Sequence, residues 1–178
     1  MAKKRSDKLF HRLKDLLVFL VVFNLLAIPL YIALYTNFSF RPLQELNARL
    51  LYGTLNLFGY HPTLQDGMVT VASNGGYQNI EISWDSTGWK SMYALTALII
   101  ATPVSRFSRK IKFIIGGVIV IFVLNYLRIS TTILASIIFS FNVFDVIHTV
   151  LWREGLILSV VALWFIWLRR EKYKIGKR

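Results

Sequence analysis

Residues 16–35 read LLVFLVVFNLLAIPLYIALY, twenty positions without a single charge. A hydrocarbon core about 30 Å thick needs about 20 helical residues at about 1.5 Å each, so this stretch has the length of a membrane span. A basic segment precedes it, as in a secretory signal, but the run is too long for a signal core and lacks a convincing small-residue cleavage site; a retained anchor is expected. Pro29 should kink the helix and free a backbone carbonyl, which a neighbouring helix or a hydroxyl must then satisfy. Working outward, the same measure gives spans at 16–36, about 88–104, about 112–128 and about 148–168. The 178 residues are 55% hydrophobic with a mean hydropathy of +0.52, outside the usual range of a soluble domain.

The net charge of +12 would suit nucleic acid if it lay on one soluble face, so its distribution decides. Lys3, Lys4, Arg5, Lys8, Arg12 and Lys14 precede the first span; Arg106, Arg109, Lys110 and Lys112 join the second and third; Arg169, Arg170, Lys172, Lys174, Lys177 and Arg178 follow the fourth. Sixteen of the 21 basic residues thus lie in three segments. The positive-inside rule assigns all three to the cytoplasm, with both termini, and leaves residues 37–87 and 129–147 outside. The charge then reports topology and contact of the basic segments with anionic lipid, and nucleic acid is not an expected partner. Tryptophans favour the headgroup zone, and Trp84, Trp89 and Trp152 fall at the outer boundary of this scheme, Trp164 and Trp167 at the inner one.

The expected fold is therefore an all-α integral membrane protein with about four transmembrane helices, one membrane domain over 1–178, with cytoplasmic basic tails at 1–15 and 169–178. Residues 37–85 form the one sizeable extracytoplasmic segment, too short to hold a substantial core alone, and should pack on the membrane domain. Leu43, Leu46, Leu50, Leu57 and Phe58 recur at near-helical spacing, which predicts an amphipathic helix along the outer interface. MVTVA and YQNIEIS alternate around SNGG, a β-hairpin with Val69 and Val71 on one face of its first strand and Ile80 and Ile82 on one face of its second. The stretch ISTTILASIIFSFN, residues 129–142, is short for a crossing and is read as an outer-leaflet or re-entrant helix.

The hairpin delivers the chain to SWDSTGW, residues 83–89, where an apolar span opens on a polar turn. Ser86 opens span two, Arg128 closes span three and His148 opens span four, so topology brings all three to one membrane surface. Each has a plain structural role available. Ser86, or Asp85 or Thr87 beside it, resembles a helix N-cap; Arg128 could snorkel to the headgroups; His148 could be an interfacial residue. The sequence holds no Cys, no His-x-x-x-His and no Gly-rich phosphate loop, so no metal and no cofactor is expected. Nucleophile, imidazole and guanidinium form a self-consistent set for acyl transfer: attack on a carbonyl, movement of a proton and stabilisation of an oxyanion.

At these residues the chain resembles the archaeosortase/exosortase family of membrane-embedded cysteine transpeptidases. The family signature is a Cys-Thr-Gly turn leading into a membrane helix, an arginine near the outer end of a later helix, and a histidine in a third region. Here the turn reads Ser86-Thr87-Gly88, the arginine is Arg128 in NYLRIS and the histidine is His148 in FDVIHTVLW. The resemblance spans roughly residues 66–168 and is specific as a combination. It implies an acyl-enzyme at position 86, with His148 as general acid/base, Arg128 on the oxyanion, and Thr87 and Gly88 shaping the turn. The implied partners are the C-terminal sorting-signal segment of a secreted, membrane-anchored protein and a lipid or other cell-surface acceptor.

The departure is serine at the nucleophile position, where a hydroxyl needs a well-placed base that a thiolate does not. An engineered Cys-to-Ser change that silences the enzyme, a natural serine variant and a pseudoenzyme all stay open, and the reading adopted is an inactivated Cys-to-Ser form. A carboxylate beside the nucleophile disfavours a thiolate, so Asp85 is expected to pair with Lys90, Arg128 or His148. The alternatives are a non-catalytic membrane scaffold or assembly protein, and a lipid-headgroup transferase or transporter whose arginine and histidine bind phosphate.

Overall fold

The computed structural model describes residues 2–73, 76–138 and 153–176. His148, Trp152 and residues 139–142 of the expected re-entrant element lie outside the described residues. The elements run α1 (Ala2–Tyr35), α2 (Arg41–Leu57), β1 (Thr63–Gln65), β2 (Met68–Ser73), β3 (Gly76–Glu81), a 3-10 turn (Trp84–Thr87), α3 (Trp89–Ala101), α4 (Phe107–Ile138) and α5 (Arg153–Gly176). Among the described residues two helical segments, Leu9–Tyr35 and Phe107–Ile138, are long and apolar enough to cross a membrane. The helix at the expected second span is shorter: α3 has 13 residues and rises about 20 Å.

The chain divides into two compact units. The first holds Met1–Phe38, Met92–Ile119 and Val160–Arg178. Its helices are joined by polar side chains that donate to backbone carbonyls, some of them at helix ends. Tyr93 Oη donates to Leu26 O at 2.6 Å, one residue past the Leu25 carbonyl whose partner N–H Pro29 removes. Lys110 Nζ donates to Ile100 O at 2.7 Å, placing a cation on the C-terminal turn of α3. Lys110 is thus buried, not a solvated loop residue. Trp164 Nε1 donates to Thr102 Oγ1 at 3.0 Å, and Arg109 lies 3.6 Å from the buried Glu171 carboxylate. Trp167, expected in the headgroup zone, is instead 1% exposed and packs on the Phe113 ring. Gly117 admits Leu95 so closely that a Cβ there would lie 2.7 Å from its Cδ2.

The second unit holds Ser39–Ser91 and Val120–Ser159. Its sheet is antiparallel in the order β1-β2-β3, with Val69 opposite Ile80 and Val71 opposite Gln78. The predicted hairpin is therefore two strands of a three-stranded sheet. The third, β1, arises from Asp66-Gly67, both at positive φ, a two-residue connection that twists as a β-hairpin requires.

Fifty residues do not close a core alone, and here α4 completes it. Ala48, Leu51 and Leu55 of α2 and Val69 and Val71 of β2 meet Ile82, Ile129 and Ile137, with Ile80 and Ile133 packed alongside. Residues 129–138, part of the stretch read from sequence as an outer-leaflet or re-entrant helix, continue α4 without a break. The reason is visible in the spacing: Ile129, Ile133 and Ile137 recur every four residues and face this core. Hydroxyls between them bond back to the helix, Thr131 to Leu127 O at 2.8 Å and Ser136 to Ile133 O at 2.7 Å. The 32 residues of α4 rise about 48 Å, well beyond a hydrocarbon core of about 30 Å.

Helix α2 also carries two apolar stripes. The predicted one stays outward, with Leu46, Leu50, Leu57 and Phe58 exposed and Leu43 half-buried, as an interface-lying helix needs. The other, through Asn47, Ala48, Leu51 and Leu55, is fully buried.

Candidate active site

The polar turn before α3 is tightly determined. Ser86 N donates to Ser83 O at 3.0 Å, and Thr87, fully buried, sends its hydroxyl to Trp84 O at 2.7 Å. Trp84 and Trp89 stack at 5.2 Å across the turn, the rings that bracket SWDSTGW closing on each other. Gly88 ends the turn at φ +79, a left-handed conformation that side chains resist. A second constraint falls on the same atom: a Cβ on Gly88 would stand 2.7 Å from Asn125 Cγ and 2.9 Å from Asn125 Cβ. Glycine is needed here both for the backbone angle and for the approach of α4.

That approach brings two side chains of α4 onto residue 86. Asn125 Nδ2 donates to Ser86 O at 2.9 Å and Arg128 Nη2 donates to the same oxygen at 3.2 Å. Positions 125 and 128 lie three apart on one helix face, so a single carbonyl receives both. The guanidinium has five N–H donors, and its bond to Ser86 O is the one it makes among the described residues. Tyr126, on a different side of α4, ties the same helix to α2, donating to Leu50 O at 2.9 Å and hydrogen-bonding with the Thr54 hydroxyl.

A cavity of about 160 Å³ opens beside this arrangement. Ser86, Arg128 and Thr132 line it together with Ile80, Glu81, Ile82 and Ile133. Thr132 stands one turn after Arg128, and its buried hydroxyl has no hydrogen-bond partner among the described residues. The sheet order leaves β3, which carries Ile80 and Glu81, as the edge strand on this side. The cavity therefore joins a hydroxyl, a guanidinium with donors to spare and an open strand edge.

The structure thus gathers Ser86, Thr87, Gly88 and Arg128, while His148 lies outside the described residues. Ser86 does not act as a helix cap: its hydroxyl pairs with Ser83 Oγ at 2.8 Å. Asp85 Oδ1 lies 2.9 Å from Lys90 Nζ, in an exposed pair that turns the carboxylate toward a cation. Sequence reasoning misses Asn125 and Thr132. An asparagine inside the run GGVIVIFVLNYLRIS, three residues before an arginine, is the signal for the first. Thr132 carries none, because Ser and Thr are frequent in that stretch. Among the described residues no group of three His, Cys, Asp or Glu side chains converges as metal ligands would.

The family model of the transmembrane exosortases (Exosortase_EpsH) matches residues 11–151, which includes the turn, both α4 residues and His148. The chain belongs to that family. Exosortase membership makes it a transmembrane protein of transpeptidase-type function in general terms. Neither a curated protein nor a solved structure matches the chain.

Proposed function

We propose that this exosortase is built to cleave a C-terminal sorting signal through an acyl-enzyme at position 86 and to pass the acyl group to a lipid or other cell-surface acceptor. The supporting observation is the pair of hydrogen bonds that Asn125 and Arg128 donate to the carbonyl oxygen of residue 86, beside a cavity that both Ser86 and Arg128 line. This anchoring fixes the turn and holds the guanidinium next to the nucleophile position before any substrate arrives, which is how oxyanion stabilisation avoids reorganisation during the reaction.

In the working form, residue 86 is a cysteine. Its thiolate attacks the scissile carbonyl, the C–N bond breaks, the amine departs with a proton from His148, and a thioester remains. The acceptor nucleophile then gives up a proton to His148, attacks the thioester and restores the thiolate. Arg128 stabilises the negative oxygen in both tetrahedral intermediates. Thr132 and the open edge of β3 hold the sorting segment in extended form, the edge through main-chain hydrogen bonds. Asn125 is a positioning residue that acts through the carbonyl of residue 86. With serine at 86 the chain retains this shape and lacks the thiol, an inactivated form.

In the proposed topology the termini and the basic connection between α3 and α4 are cytoplasmic, and the segment 37–85 and the site lie outside.

The test is Ser86→Cys, expressed with secreted proteins of the source cell that end in one membrane helix and a basic tail. Processing should appear with cysteine at 86 and fall at least about a hundredfold in Arg128→Ala, the usual cost of an oxyanion donor. His148→Ala should fall similarly. Processing that survives both substitutions would falsify the assignment of roles.

A further inference from the structure

The first unit contains a second cavity that the transpeptidase reading does not use. It measures about 630 Å³, within the range of small-molecule sites. Its walls are apolar: Leu16 and Phe19 of α1, Pro103 and Val104 of the connection after α3, and Trp164 and Leu168 of α5. Trp164 commits its one N–H to Thr102, so what it offers the cavity is ring surface. At the mouth stand Arg12 and Lys172, with Asp15 beside them. All three are exposed, and none forms an ion pair among the described residues.

Two cations without an ion pair among the described residues, at the entrance of an apolar cleft in a helix cluster whose α1 surface is exposed leucine, valine and phenylalanine, match one kind of ligand in both chemistry and shape. We propose that this cleft binds an anionic phospholipid of the leaflet that borders the basic segments, one acyl chain against Phe19 and Trp164 and the phosphate at Arg12 and Lys172. Charge complementarity selects an anionic headgroup, and the apolar walls select a lipid over a soluble phosphate. Arg109 of α4 is already turned to Glu171, which leaves Arg12 and Lys172 to meet the headgroup. Asp15 works against the same anion and gives the site an internal control. A basic cluster at a membrane surface attracts anionic lipid by about fivefold per Lys or Arg.

The experiment is native mass spectrometry of the full chain in detergent, titrated with phosphatidylglycerol or phosphatidylcholine. The chain should retain one phosphatidylglycerol in preference to phosphatidylcholine. Arg12→Gln with Lys172→Gln should lower that preference by about fivefold for each cation, and Asp15→Asn should raise it by about the same factor. Val104→Trp, which fills the cleft and leaves the charges alone, should displace the lipid with no loss of folding by circular dichroism. Equal retention of the two lipids, a preference unchanged in the double glutamine variant, or loss of the retained phosphatidylglycerol on adding equimolar inorganic phosphate would overturn the proposal.

Discussion

Gly88 concentrates two constraints in one residue, a left-handed φ of +79 and the side chain of Asn125 where a Cβ would go. Replacing it with alanine should cost about 2–5 kcal/mol, the sum of a backbone term and an overpacking term. The melting temperature of the purified protein measures this. Gly53, with no atom within 4 Å of a Cβ position, supplies the control, and alanine there should hold or raise stability. The pair Asp85–Lys90 is exposed, so it carries little stability, but its sign matters beside a thiolate. In a Ser86→Cys protein, Lys90→Ala leaves the Asp85 carboxylate uncompensated and raises the thiol pKa. Alkylation by iodoacetamide should then need a higher pH, by less than about 1 unit given solvent screening. An unchanged pH profile would show that the pair does not act on residue 86.

Among the elements, α4 does two tasks. Its early turns pack against helices of the first unit, and Ile129, Ile133 and Ile137 complete the core under the sheet of the second. Ile129→Ala should therefore destabilise the sheet, although the residue lies far away in sequence, by about 2–5 kcal/mol. Amide exchange in β2 and β3 should accelerate while α1 is unaffected; uniform exchange rates across both would contradict this packing. The sheet itself shows where reading by pattern succeeds and where it stops. Val69 and Val71 lie two positions apart and are buried while Met68 and Ala72 beside them are exposed, as the period of two requires. β1 is three residues long with all of them exposed, so hydrophobic alternation could not reveal it, and only Asp66-Gly67 marks the turn.

For the molecule as a whole, sidedness is the property most open to direct measurement, since the chain has no cysteine to add background. The single substitutions Tyr77→Cys, in the exposed part of β3, and Arg106→Cys, before α4, should give thiols that react from opposite sides of a sealed vesicle. In whole cells an impermeant maleimide should label the thiol at position 77 and spare the one at position 106. Labelling of both without lysis would contradict the proposed topology.

Composition and the spacing of charges already determined that the chain belongs in a membrane, because the length of an apolar run is set by the bilayer and needs no partner. The turn Ser86-Thr87-Gly88 and Arg128 were legible for a related reason: a polar group at the end of an apolar run is conspicuous in one dimension. Tertiary structure alone decided that Asn125 and Arg128 share the carbonyl of residue 86, that residues 129–138 prolong α4, and that Trp167 and Lys110 are buried. Those outcomes depend on which helix faces meet across dozens of residues of intervening chain. Helices such as α2 and α4 carry apolar residues on more than one side, so periodicity leaves several pairings open until packing selects among them.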